Sequence, residues 1–553
     1  MSGNSKDPKL AVYFQPGQVM FHVTGTATKE STKILFDNAK KLAESMKLQI
    51  STPRIQNFPP AEKYNDQQSR AESGGNKRGP FSLLYADVTK DGERLGDQQG
   101  DLMKLLNLIF LLDDELAKPS NESVQVVSPN WLMSGSREDP GGTGGPGGRP
   151  SPYVGNSDNT EYKFNISESF PQQYLDYLRP DCDENVVVAI LDTAPYPKSW
   201  LDLIISNPET TSFMTVADQG EWEYIYDKWV HQRQDPHTLI RTLLDPTDRR
   251  LTIYPDPRVM DGRFKNMTCI DHEYEMNDHG LFVAGIIHSL APHAELHLFQ
   301  VLNSYGLGNL EIIGETLINV FRDFEGKPLI LNLSLNYGIP LERAHTKEGK
   351  THTKEGKELV PDVSGGEILG PKRASWLIRA IKPAELMCDL FYDRKSGIIA
   401  AAGNDWDDQE PGDPRPQARY PAAFDHVVGV GALTRGGKGV PRKAASYSNL
   451  ADRPPMSGTT TLGGEEGTGN GILGTYTGEF PDGSPNDSGW AWWCGTSFAT
   501  PIISGLVAAI LSCMLSENPQ ATPQDAIEKL FAAQKEVTKP GEDVFLVIQG
   551  TSQ

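Results

Sequence analysis

The sequence predicts an α/β protein: a doubly wound, mostly parallel sheet with helices on both faces, preceded by a small α+β unit. Three observations carry that expectation. From residue 186 onward, apolar strand-like runs alternate with helix-like ones, the pattern of a parallel sheet wrapped by crossover helices. One run, Val186-Val187-Val188-Ala189-Ile190-Leu191-Asp192-Thr193, is apolar throughout and ends in an acid. A strand buried on both faces reads this way, with a carboxylate at its C-terminal edge. Third, a Gly/Pro-rich stretch over 139–152 separates this part from an N-terminal part with a different order of elements.

In the N-terminal part, residues 19–23, 48–52, 81–88 and 124–127 read as strands. Residues 29–46 and 101–116 read as helices, the first with Ile34, Leu35, Ala39, Leu42 and Ala43 at helical spacing. The order βαββαβ describes a ferredoxin-like sandwich, assigned to residues 1–133. Residues 134–160 are expected to form a linker, either a plain tether or a processed junction; their glycines suit both.

Residues 161–553 form the expected second domain. Its alternating runs are 186–191, 279–289, 295–301, 312–321, 329–335, 374–390, 397–402, 426–430 and 502–515. Insertions are expected near 206–267, 337–373 and 454–488. The first holds Trp222, Trp229 and the charges from Asp245 to Arg250. The second carries a tandem repeat, His345-Thr346-Lys347-Glu348-Gly349-Lys350 and His352-Thr353-Lys354-Glu355-Gly356-Lys357. It reads as a solvated hairpin or mobile loop, with a lid or exosite role open; its histidines lack companion cysteines for a metal site. The third, rich in Gly, Ser and Thr, reads as a surface loop. A helix over 523–533 and a strand over 544–548 close the chain.

A net charge of −21 disfavours non-specific nucleic-acid binding. No run approaches about 18 consecutive apolar residues, so no membrane span is expected. The start, Met1-Ser2-Gly3-Asn4-Ser5-Lys6-Asp7, lacks the apolar stretch of a signal peptide. Five cysteines at scattered positions suggest neither a disulfide framework nor a metal site. The expected setting is cytoplasmic, with secretion left open.

Three stretches carry candidate chemistry. Gly495-Thr496-Ser497-Phe498-Ala499-Thr500-Pro501 puts a serine at a loop-to-helix junction, beside the positive end of the helix dipole. Asn277-Asp278-His279-Gly280 puts an imidazole at the mouth of an apolar helix. Asp192 ends the buried strand. Taken singly, each is an ordinary cap or turn residue. Together, in the order Asp, His, Ser, they supply an orienting acid, a base and a nucleophile.

With these motifs the chain resembles the subtilisin-like serine proteases, the subtilases. The aspartate motif matches Ile190-Leu191-Asp192-Thr193. The histidine motif HGTHVAG matches His279 to Gly285, with Leu281 and Phe282 in place of Thr and His. The serine motif GTSxAxP matches Gly495 to Pro501 in full. Ala400-Ala401-Ala402-Gly403-Asn404 matches the stretch that carries the family's oxyanion-hole asparagine.

The resemblance implies a peptidase acting on polypeptide substrates, with Asp192, His279 and Ser497 as triad and Asn404 as oxyanion donor. It implies that Ser334, Leu335 and Asn336 face Ala401, Ala402 and Gly403 across the primary pocket; Asn336 and Tyr337 replace pocket glycines of the family. Acids at Asp405, Asp407, Asp408 and Glu410 could favour basic substrates, or be only a solvated face. The chemistry needs no cofactor. Structural calcium is common in the family, but no ligand string predicts it here. Cys494 reads as an inert buried thiol. The N-terminal domain resembles the family's propeptide, a folding aid and inhibitor whose tail lies in the cleft, and 126–133 suits such a tail. An unrelated accessory or partner-relieved regulatory domain is the other reading of residues 1–133. For the whole chain, the alternative to a peptidase is a catalytically silent peptide-binding scaffold of the same fold.

Overall fold

A computed structural model describes residues 14–60, 79–96, 99–117, 123–135, 149–152, 186–195, 250–260, 276–337, 371–406, 416–434, 443–451, 458–465, 470–486 and 488–537. The tandem repeat, Trp222, Trp229, the acids Asp407, Asp408 and Glu410, and the 544–548 strand lie outside them.

The N-terminal part holds β1 (Phe14–Thr24), α1 (Lys29–Ser45), β2 (Gln49–Ile50), β3 (Arg54–Phe58), β4 (Phe81–Lys90), β5 (Glu93–Arg94), α2 (Gln99–Leu116) and β6 (Val124–Gly135). Strand order β6-β1-β4-β2, all antiparallel, is that of the expected sandwich. β2 and β3 both pair with β4, Gln49 with Thr89 and Arg54 with Tyr85. They are one strand with an extra residue around Pro53, which has no N–H to give the ladder. That proline hides the 54–58 half from a sequence reading.

α1 begins with a capping box: the Ser31 N–H donates to Thr28 Oγ1 (3.1 Å), and the Thr28 N–H donates to Ser31 Oγ (2.8 Å). Its buried face is Thr32, Phe36, Ala39 and Ala43, while Ile34 stands 75% exposed. The expected apolar stripe is thus rotated: Phe36 packs on Phe21 of β1, ring centroids 5.0 Å apart.

The second part is built on a 7-stranded sheet. Its strands are β8 (Val187–Asp192), β9 (Leu251–Tyr254), β10 (Glu295–Gln300), β12 (Leu329–Leu333), β14 (Gly397–Ala401), β15 (Val428–Leu433) and β16 (Thr459–Leu462). The order is β16-β15-β14-β12-β8-β10-β9, every pair parallel. On one face lie α3 (His279–Leu290), α6 (Thr496–Glu517) and α7 (Pro523–Val537). On the other lie α4 (Leu310–Asp323) and α5 (Pro371–Asp393). β8 shows why its run is apolar throughout. Val187, Ala189 and Leu191 join the core on the α4/α5 side, and Val188 and Ile190 the core on the other. α6 is apolar enough to cross a membrane (mean hydropathy 2.1), yet 89% of that window is buried against the sheet.

Three expectations are corrected. The expected surface loop within 454–488 contains β16, whose four residues are all buried. It also contains β17 (Ile472–Thr475), paired with β18 (Trp490–Trp493). Thr459-Thr460-Thr461 reads as loop by polarity, but its branched Cβ atoms suit a strand. β9 likewise falls inside the expected 206–267 insertion and forms a sheet edge. As to cysteines, Cys388 and Cys494 are free and buried, whereas Cys513 is disulfide-bonded. Scattered positions along the sequence do not prevent pairing once folding brings them close.

The two parts are continuous. α1 and α2 cover one face of the N-terminal sheet, and α4 and α5 lie against the other. Arg54 pairs with Asp87 (2.9 Å) and with Glu311 in the first turn of α4 (Nη2 to Oε2, 3.0 Å). Arg379 of α5 pairs with the buried Asp113 at 2.7 Å. The Trp376 indole donates to the Val127 carbonyl (2.8 Å). β6 itself runs on past its own sheet, between β11 (Leu307–Asn309) and β13 (Leu335–Tyr337), antiparallel to both. Another short strand, β7 (Ser151–Pro152), pairs with β18.

At this interface His22 of β1 is buried, edge-on to Phe81, and neither ring nitrogen has a hydrogen-bond partner among the described residues. Burial, assisted by the Lys382 ammonium of α5, lowers its pKa to about 4. The unfolded chain therefore takes up a proton at higher pH than the native one. Stability from the neutral ring is complete above about pH 6.5 and is lost as pH falls towards 4, on the order of 3 kcal/mol. We expect His22→Phe to narrow the gap between urea midpoints at pH 7 and pH 4.5; an unchanged gap would contradict this.

Candidate active site

The site lies at the C-terminal rim of the parallel sheet, where ligands bind in this architecture. Asp192 ends β8 and is fully buried. Its Oδ1 accepts from His279 Nδ1 (2.7 Å) and from the Thr193 N–H (2.7 Å), while Oδ2 has no partner among the described residues. The imidazole is thereby oriented by a buried carboxylate.

What lets α3 approach so closely is Gly280. A Cβ there would meet the Thr193 carbonyl oxygen at 2.1 Å and Asp192 Cβ at 3.0 Å. The Thr193 hydroxyl also ties the helix entrance down, donating to the carbonyls of Met276 (2.9 Å) and Asn277 (3.0 Å). Asp278, just before the helix, accepts from the Thr477 N–H and from the Gly478 N–H (2.7 Å). The His279 ring stands edge-on to Trp493 (5.4 Å) and tilted against Phe498 (5.0 Å). Phe282, in place of the motif's second histidine, fills the same cluster, 4.6 Å from Phe498 and 5.6 Å from Trp493.

Ser497 is the second residue of α6, after Gly495, whose φ of +152° keeps side-chain residues out. The Ser497 hydroxyl donates to the Ser334 carbonyl at 3.3 Å, and no hydrogen bond joins it to His279. In return Ser334 Oγ donates to the Ser497 carbonyl (2.9 Å). Asn332 Nδ2 donates to Ser334 Oγ (3.0 Å), and Ser504 Oγ donates to Asn332 Oδ1 (2.8 Å). This buried polar chain pins the first turn of α6 to the end of β12.

Asn404 follows β14. Its Oδ1 accepts from the Thr496 N–H (3.0 Å) and hydroxyl (2.9 Å), which turns Nδ2 towards Gly495; a Cβ on Gly495 would lie 3.6 Å from it. The loop is braced from behind. Arg419 makes a two-pronged pair with Asp405, both contacts 2.6 Å, and Asn449 Nδ2 donates to Asp405 Oδ2 (2.6 Å). Asp405 is thus neutralised within the fold, which corrects its expected role as an acid for basic substrates.

Ser334, Leu335 and Asn336, at the start of β13, and Ala401, Ala402 and Gly403, at the end of β14, are all buried. Sequence reading missed Ser504, Arg419 and Asn449, whose polar types carry no spacing signal, and gave Thr496 no role beyond its place in the serine motif. Among the described residues no group of three or more His, Cys, Asp or Glu could hold a metal ion.

A parallel α/β sheet with these motifs at its C-terminal rim defines a subtilisin-like fold. The chain belongs to the subtilase family, whose pattern it matches over residues 183–543. It is 25% identical over 245 residues to an intracellular serine protease of Paenibacillus polymyxa, covering 43% of this chain and 54% of that protein. It thus spans about half the length of that relative. Among solved structures it is similar to the epidermin leader peptide processing serine protease EpiP of Staphylococcus aureus (16% identity, 93% of this chain and 92% of that one, TM-score 0.40). It is also similar to a lanthipeptide protease (20% identity, 49% of this chain and 71% of that one, TM-score 0.32).

Because Gly280 sits where no side chain fits, Gly280→Ala is expected to push α3 off β8, costing about 1–3 kcal/mol. Denaturant unfolding checks the stability loss, for which Gly100→Ala in α2, where a Cβ would meet nothing within 4 Å, serves to compare.

Proposed function

We propose that the protein is a serine endopeptidase, with Ser497 as nucleophile, His279 as general base and Asp192 as the acid that orients it. The observation that carries this reading is the buried 2.7 Å bond between Asp192 Oδ1 and His279 Nδ1, on the rim that also bears Ser497. With Nδ1 committed to Asp192, the other ring nitrogen is the one available to accept the serine proton. The Ser497 hydroxyl has to leave the Ser334 carbonyl and turn towards the imidazole, a tightening common on substrate binding. It would then attack the peptide carbonyl, and the protonated imidazole would deliver its proton to the leaving amine. Asn404 Nδ2 and the Ser497 N–H would hold the oxyanion. Water would release the acyl group by the same path in reverse.

On this reading residues 1–133 restrain the enzyme. The end of β6 lies in the cleft as an added strand, held by β11 and β13 as an extended substrate would be. The linker 134–160 is then the proposed processing region, and 161–553 the peptidase domain. The proposed setting is intracellular, in line with the name of the Paenibacillus relative; the Cys513 disulfide is what such a setting must accommodate. The bond from Ser497 to Ser334, with none to His279, is what favours the alternative, a silent peptide-binding scaffold.

A fluorophosphonate probe is expected to label the wild-type chain and leave Ser497→Ala unlabelled; no adduct in any form of the wild type would leave the scaffold reading. Asn404→Ala should lower kcat about 10²–10³-fold with little change in KM. Mass spectrometry should find a cut between residues 131 and 153 in the wild type and an intact Ser497→Ala chain.

A further inference from the structure

We propose that Asn336 closes the pocket beside the nucleophile, so that the enzyme cuts after small residues and recognises a bulky apolar residue further upstream. This rests on the peptidase reading above.

Asn336 sits on β13, directly across the cleft from the end of β14. Its side chain is 3% exposed. With the amide oriented to satisfy both ends, Nδ2 donates to the Ala401 carbonyl (3.0 Å) and to the Leu335 carbonyl (3.2 Å). The amide therefore spans the gap between the two walls. A large side chain entering there would have to break both bonds and leave a buried amide unpaired. The back of the pocket is closed as well. Arg419 lays its methylenes over Gly403, where a Cβ would lie 3.2 Å from Cγ and 3.3 Å from Cδ. Its guanidinium is fixed by Asp405, so the stem cannot swing away.

The strand in the cleft points the same way. Gly135 lies opposite Leu335, and Ser134 lies between Asn336 and Leu307, so the positions nearest Ser334 are small. Bulk appears further upstream. Met133 lies between Tyr337 and Gly308, and Leu132 opposite Asn309; they are 1% and 4% exposed. Gly308 brings no side chain beside Met133. Nor could it, since a Cβ there would meet the Val301 carbonyl at 2.1 Å. Successive side chains of a strand alternate faces, so the cleft admits a large apolar group at the Met133 position, between Tyr337 and Gly308, and excludes one next to the cut. The substrate class is an extended polypeptide with a Met/Leu-type residue followed by small residues.

The test uses the full chain and fluorogenic peptides built on Trp-Leu-Met-Ser-Gly, varied only in the residue before the cut bond: Gly, Ala, Ser, Leu, Phe or Lys. The wild type should show kcat/KM at least ten-fold higher for Gly, Ala or Ser than for Leu, Phe or Lys. Asn336→Gly should shift the Leu-to-Ala ratio at least ten-fold towards Leu. Asn336→Ser, which keeps a polar group, serves if thermal melting shows that the glycine variant does not fold. A wild-type preference for large residues overturns the proposal, and so does a ratio unmoved by either variant. Fluorophosphonate labelling of the same samples separates the two levels. A labelled enzyme without the preference sinks only this inference; an unlabelled one sinks the peptidase reading beneath it.

Discussion

The contact on which the rest depends is the approach of a helix end to a strand end. α3 can bring His279 within 2.7 Å of the carboxylate of Asp192 only because Gly280 presents no side chain to the carbonyl of Thr193. The partners are fixed from several directions. β8 is an interior strand of a seven-stranded sheet, with its side chains committed to two cores. α3 is anchored by Thr193 below and by Asp278 reaching to the backbone of Thr477 and Gly478 above. A hydrogen bond between two side chains buried this deeply holds its geometry because neither can find water instead. The position of the imidazole follows from packing made well away from it.

Much of this was legible in the sequence where one physical demand left one residue pattern. β8 must be apolar on both faces, so it reads as an unbroken run. The helix at His279 needs a glycine next to the imidazole, so the pair stands out. α6 must lie flat on the sheet, and its composition says so. What escaped reading has a common cause. β16 is polar by composition but buried by its backbone pairing, β9 is four residues long, and β3 is cut off from β2 by Pro53. Short elements derive their stability from neighbours that are distant in sequence, and no local pattern records that. The same holds for the supports of the site. Ser504, Asn332 and Ser334 form one polar chain only after three segments meet. Asp405 reads as one of several free acids until Arg419 arrives beside it.

The N-terminal part repeats this at a larger scale. Its order of elements could be read, but not its partner. Trp376 and Arg379 meet Val127 and Asp113 across the boundary. Arg54 meets Glu311 at the start of α4, where the negative side chain also suits the helix dipole. Both parts contribute to one continuous apolar cluster. His22, neutral and without a partner among the described residues, marks that seam as a place where burial was favoured over polar satisfaction.

The connection between the two parts also bears on kinetics. β6 is held between β11 and β13 at one end of the connection, and β7 pairs with β18 at the other. While the chain is whole, a departing strand cannot diffuse off, and its high local concentration favours rebinding. Once any bond between them is severed, the same contacts become those of two separate molecules. Dilution then works against them, and on the proposed reading a reversible brake becomes a timer that runs in one direction.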